Sequence, residues 1–162
     1  MTADSFLSTA AEVAIGLAGF AGIIAAVRQR GLSSWPLRHR VLIRTLFGAC
    51  AAAVTFALLP SLLVEARIPT DLVWRVGSGM LAGLFVLAAA FRIRQYRRQG
   101  GEAPLPRGLL VWVGCISILQ LVNVGLATTW IYLLGVYTLL INGFSVFMTL
   151  LLEDAGHGDR SD

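Results

Sequence analysis

The chain has 162 residues, 57% of them hydrophobic and 14% charged, with a mean hydropathy of +0.77 and a formal net charge of +4. Soluble domains are less apolar and carry about a quarter of their residues charged, so this composition indicates a membrane protein. At about 20 residues per span, the helices and their short connections use up the chain and leave no room for a separate soluble domain.

The first uncharged run covers residues 6–27 and is interrupted only by Glu12. Its leading MTADSF holds an acid and no base, and the run is longer than the apolar core of a secretory signal, so it is expected to remain as a helix. Gly16, Gly19 and Gly22 give this helix a small face, and Ala10, Ala14, Ala18, Gly22 and Ala26 form a second row at every fourth residue. In lipid, such rows let two backbones approach closely. The spacing therefore predicts packing against protein, either another span of the chain or the same helix of a second copy.

The second run covers 41–64, with Arg44 near its start and Pro60 near its end; the third covers 72–91, with Arg75 near its start and a less regular small face at Gly77, Gly79 and Gly83. From Gly108 to Leu152 no side chain is charged, about twice what one crossing of a roughly 30 Å core requires. That run is expected to fold back around Ala127, Thr128, Thr129 and Trp130, because hydroxyls tolerate a turn at the interface and Trp favours headgroup depth. It divides into spans 108–127 and 130–152, followed by a polar tail at 153–162. The expectation is an all-α integral membrane protein, a single transmembrane domain forming a bundle of about five helices.

All 13 basic residues are Arg. Arg28, Arg30, Arg38, Arg40 and Arg44 follow or open onto the first connection, and Arg92, Arg94, Arg97, Arg98 and Arg107 the third. The positive-inside rule makes both connections cytoplasmic and the N-terminus outside, in a multi-pass protein of a bacterial inner membrane. With four spans instead of five, the C-terminus would also lie outside.

Depth then groups the polar residues. Glu12, Arg75 and Asn123 fall at similar heights near the outer side, and Gln120 and Asn142 fall near the middle of the last two spans, where they are expected to hydrogen-bond. For Glu12, three roles stay open: a protonated packing residue, a partner of Arg75, or one member of a ring of acids lining a cation path. For the two amides, interhelical bonding is the plainer role.

The connections RQRGLSSWPLRHR and FRIRQYRRQGGEAPLPRG mix arginines with Trp35, His39 and Tyr96. Topology and contact with anionic headgroups account for such loops. An anionic ligand site is the sharper alternative, built from Arg28, Arg30, Trp35, Arg38, Arg40, Arg92, Arg94, Tyr96, Arg97 and Arg98, since arginine pairs phosphates and aromatics stack on bases. Cys50 and Cys115 stand singly within spans, His39 and His157 lie in connections, and no hydrolase, zinc-protease or phosphate-loop pattern occurs. No catalytic residue, metal or cofactor is expected, and the chain does not read as an enzyme.

The succession ExxxGLAGFAGI, RQRGLSSWPLRHRVLIRTL, LLPSLL, WRVGSG and a charge-free terminal hairpin containing Asn142 resembles a family of small, uncharacterised bacterial multi-span membrane proteins. More loosely, it is similar to the membrane effectors of anti-phage defence systems such as Hailong. That resemblance implies a homo-oligomeric ion channel gated by a nucleotide or oligonucleotide ligand at its cytoplasmic arginines, with no individual ligand residue carried over. The alternative from another class is a non-conducting membrane scaffold for a cytoplasmic protein partner.

Overall fold

The computed structural model describes residues 2–27, 37–98 and 107–158, and among these every regular element is an α-helix. The order is α1 (Ala3–Val27), α2 (Leu37–Glu65), α3 (Thr70–Arg98), α4 (Arg107–Leu126) and α5 (Thr129–Gly158). Four are long and apolar enough to cross a membrane, over Ala3–Ile23, Arg40–Glu65, Thr70–Phe91 and Thr129–Leu152, and α4 contributes a shorter apolar stretch, Val111–Leu126.

Hydropathy marks where a chain leaves lipid, not where a helix stops, and three helices outrun their apolar segments. α2 begins at Leu37 rather than residue 41, α3 continues past Phe91 to Arg98, and α5 extends to Gly158 into the expected polar tail. Arginine and glutamine are good helix formers, so the FRIRQYRR segment prolongs α3 instead of opening a loop.

The helix ends have local causes. At the start of α1 the Thr2 hydroxyl accepts the Ser5 backbone N–H at 3.3 Å, with Asp4 in the first turn where the helix dipole favours an acid. α2 closes in a Schellman motif: Ile68 N–H donates to the Leu63 carbonyl at 3.1 Å and Arg67 N–H to the Val64 carbonyl at 2.9 Å. Arg67 consequently takes a left-handed backbone, φ 60°. The Pro69 carbonyl then accepts the Leu72 and Val73 N–H groups and starts α3. α4 ends with Ala127 at φ 55°, its N–H on the Asn123 carbonyl at 2.8 Å, and the chain reverses into α5 at Thr129, within the turn the sequence indicates.

The helices divide into two compact units, one comprising Met1–Leu58 with Val136–Asp162 and the other Leu59–Gly135. In the first, α2 and α5 approach closely at Gly143, where an added Cβ would lie 3.7 Å from Cys50 Sγ, 3.8 Å from Ala49 Cβ and 3.9 Å from a Leu46 methyl. Small residues on α2 permit this approach, since Ala49, Cys50, Ala53 and Ala57 are all buried. In the second, α3 packs along α4, with Gly79 against Val124, and Leu81, Ala82 and Phe85 on α3 and Ile116 on α4 are buried.

The surface is inverted relative to a water-soluble protein. Gln120, Asn123 and Ser78 are fully buried, while Leu87, Phe91, Leu62 and Ile118 are more than 60% exposed. Exposed hydroxyls do not need water: Thr9, Thr55, Ser145 and Thr149 each donate to the carbonyl four residues earlier. A bilayer demands this internal satisfaction, and with four helices long and apolar enough to span it, the chain has the character of a membrane protein.

Candidate functional site

The polar residues read from the sequence fall into two groups with opposite surroundings. On α1, Leu7, Ala10, Ala11, Ala14 and Ala21 are buried and form one side of the helix, so part of the alanine row makes the internal packing. Glu12, Gly16 and Gly19 are exposed on the opposite side, with Gly22 half-buried at its margin. A Cβ added at Gly16, Gly19 or Gly22 would meet nothing within 4 Å. Among the described residues, then, no side chain fills the space beside these glycines. By helical periodicity Ser5, Ser8 and Thr9 share the outward side with Glu12, a polar stripe running into a smooth one.

Arg75 is likewise exposed on α3, and neither it nor Glu12 makes an ion pair among the described residues. Asn123, which depth alone groups with these two, is committed elsewhere. Its Nδ2 donates to Ser78 Oγ at 2.7 Å and to the Thr128 carbonyl at 2.9 Å, while Oδ1 accepts the Thr128 N–H at 2.8 Å and the Thr128 hydroxyl. One side chain thus braces the α4–α5 reversal and ties it to α3.

Gln120 also departs from expectation. Its Nε2 donates to the Ile131 carbonyl at 2.6 Å instead of pairing with Asn142, which is half-buried on α5. The physical reason is Gly135, one turn beyond Ile131: a Cβ there would lie 2.5 Å from Gln120 Nε2, so only glycine admits the amide to that carbonyl. Gln120 Oε1 is buried without a hydrogen-bond partner among the described residues. Nearby, Gly77 receives the ring of Tyr132, whose Cε2 would stand 2.7 Å from an added Cβ, and the same ring meets Trp74 at a centroid distance of 5.4 Å and 56°. Sequence reading missed the roles of Ser78, Thr128 and Gly135; the signal was buried amides on α4 facing a glycine on α5 and a hydroxyl in the turn before it.

Of the candidate anion-binding residues, Arg28, Arg30 and Trp35 lie outside the described residues. Arg38 falls in the first turn of α2, and Arg92, Tyr96, Arg97 and Arg98 in the final turns of α3. Arg94 is exposed, and Arg40 is half-buried with its Nε unpartnered among the described residues. Cys50 is buried and Cys115 exposed, both as free thiols. Among the described residues no cluster of three or more His, Cys, Asp or Glu could hold a metal ion.

No protein-family model matches the chain, and no curated protein or solved structure matches it either. The functional reading rests on these residues and on the resemblance drawn from the sequence.

Proposed function

We propose that the chain assembles with copies of itself into a small transmembrane channel or membrane-perturbing effector of a bacterial inner membrane. All five helices span, α4 included, since its 20 residues extend about 30 Å, the thickness of the hydrocarbon core. The N-terminus faces outward and the arginine-rich connections face the cytoplasm.

The observation that carries this reading is Glu12. An ionisable side chain within a span is costly in lipid and faces protein or water in a finished assembly, yet on the single chain Glu12 is exposed and unpaired among the described residues. A second copy, or a water-filled path between copies, removes that conflict. The bare glycines beside it suit close helix contact.

Gating by a nucleotide-like anion at the cytoplasmic arginines is the accompanying proposal. It draws on the density of arginine, on the unpartnered Arg40 Nε and on the resemblance to defence effectors.

Single-channel recording in a planar bilayer tests the function. Discrete conductance steps that an oligodeoxyadenylate reduces from the cytoplasmic side are expected. A silent bilayer containing correctly folded oligomer would favour the non-conducting scaffold. Orientation has its own test: a cysteine at Asp71, in a chain freed of Cys50 and Cys115, should react with an impermeant thiol reagent from outside, and one at Gln99 should not.

A further inference from the structure

We infer that Glu12 of one copy pairs with Arg75 of the next, joining the outward face of α1 to the outward face of α3. The inference rests on the self-assembly proposed above and names the contact that makes it.

Both residues lie within segments long and apolar enough to cross a membrane, Ala3–Ile23 and Thr70–Phe91, and both are exposed without an ion pair among the described residues. An uncompensated acid and an uncompensated base in lipid each carry a penalty that mutual pairing relieves. Other partners fit less well. Asp71 sits one turn before Arg75 on the same helix and makes no ion pair with it; as the second residue of α3 it meets headgroups and water. In the proposed topology Arg44, in the early turns of α2, lies near the cytoplasmic surface.

Depth and direction agree. In the proposed topology, with the first and third connections both cytoplasmic, α1 and α3 each run from the outside inward. At about 1.5 Å per residue, Glu12 lies roughly 14 Å along α1 from Ala3 and Arg75 roughly 8 Å along α3 from Thr70. The long arginine side chain spans that difference.

The register supplies an independent match. Gly19 stands seven residues beyond Glu12 on nearly the same side of α1, where a Cβ would meet nothing within 4 Å, and the exposed Val86 stands eleven residues beyond Arg75, within about 20° of it round α3. At about 24 Å along each helix these two reach the same depth, so the Val86 side chain of one copy meets a bare backbone on the other. Leu72 and Val76, exposed near Arg75, and Leu87, next to Val86, supply the apolar rim. A contact joining two different faces either closes into a ring or occurs twice in a two-fold dimer. In both, every Glu12 and every Arg75 is paired.

Disulfide trapping tests this in native membranes, on full-length chains carrying Cys50→Ala and Cys115→Ala. One tagged copy bears Gly19→Cys and a second, differently tagged copy bears Val86→Cys, which leaves both charges in place. Oxidation is expected to give a linked product bearing both tags, several-fold above the product of either copy with itself. A link confined to a single chain carrying both cysteines, or Gly19→Cys copies linking chiefly with each other, overturns the inference. Light scattering in detergent separates its failure from that of self-assembly: an oligomer without the two-tag link sinks only the pairing, and a monomer sinks both. Charge reversal gives a second readout, since Glu12→Arg alone and Arg75→Glu alone should each shift the protein toward monomer and the double reversal should restore the oligomer. A double reversal as dissociated as the singles also overturns the pairing.

Discussion

The glycines of α1 and those around the α4–α5 hairpin look alike in sequence and behave oppositely in structure. Gly77 and Gly135 are filled notches, each occupied by a side chain closer than any Cβ would allow, Tyr132 in one and Gln120 in the other. Gly16 and Gly19 are exposed and touch nothing. The difference teaches that small residues in a membrane helix serve two purposes. In the second unit they admit specific side chains and fix the fold, whereas on α1 they keep a face smooth for something the single chain does not contain.

The comparison breaks first at Gly135. Gly135→Ala pushes a methyl into Gln120 Nε2 and a Leu81 methyl. Overpacking of this kind costs roughly 1–3 kcal/mol, and the lost bond to the Ile131 carbonyl adds about 1–3 kcal/mol when the buried amide is left unpaired. Denaturant titration of the detergent-solubilised protein should register a loss of several kcal/mol; a variant as stable as the parent would mean that Gln120 does not occupy the notch.

Asn123→Leu comes next. It removes the bonds to Ser78 and Thr128 that hold the hairpin turn. Hydrogen bonds between membrane helices average about 0.6 kcal/mol each and reach roughly 1.7, so the side chain as a whole should account for about 1–3 kcal/mol. Asn142→Leu, at a half-buried position without such partners, should cost less. Equal losses at the two positions would remove the special standing of Asn123.

A third case concerns a glycine that is missing. Arg67 holds a left-handed backbone at the C-terminus of α2, a conformation costing an ordinary residue about 1 kcal/mol. Because Arg67 is exposed, its side chain offers little in return. Arg67→Gly should raise stability by about 0.5–1 kcal/mol, read in the same titration, even though the change removes a cation; a loss would show that the arginine side chain matters more than its backbone.

Much of the fold was legible because lipid imposes a simple rule: uncharged runs long enough to cross become helices, and a charge-free run twice that length must turn. The turn at Ala127 and Thr128 followed from hydroxyls and Trp130 near an interface. Helix ends were less legible, since Arg92 to Arg98 leave the apolar phase without leaving the helix. The site was only half visible. Glu12 and Arg75 stood out as charges in apolar runs, and depth grouped Asn123 with them, but depth carries no azimuth. Asn123 points into the protein, whereas the two charges are exposed. Spacing alone also could not tell a filled glycine from a bare one, because that depends on side chains such as Tyr132 and Gln120 that lie far away in sequence.

The smallest effect on the fold belongs to Gly19, and there the comparison is sharpest. With nothing within 4 Å, Gly19→Ala meets no steric resistance, and the gain in helix propensity of up to about 1 kcal/mol favours it. Gly19→Leu should leave the stability of the monomer within about 0.5 kcal/mol, as for other uncontacted surface positions. Yet a leucine on a smooth face holds two backbones apart, so the same variant should shift the oligomer toward monomer in light scattering while unfolding normally. Loss of assembly with the fold intact is the signature of a face kept bare for a second chain. If Gly19→Leu instead unfolds as readily as Gly135→Ala, the glycine is a filled notch after all; if neither its stability nor its size changes, that side of α1 meets lipid, and Glu12 must be accommodated without a partner helix.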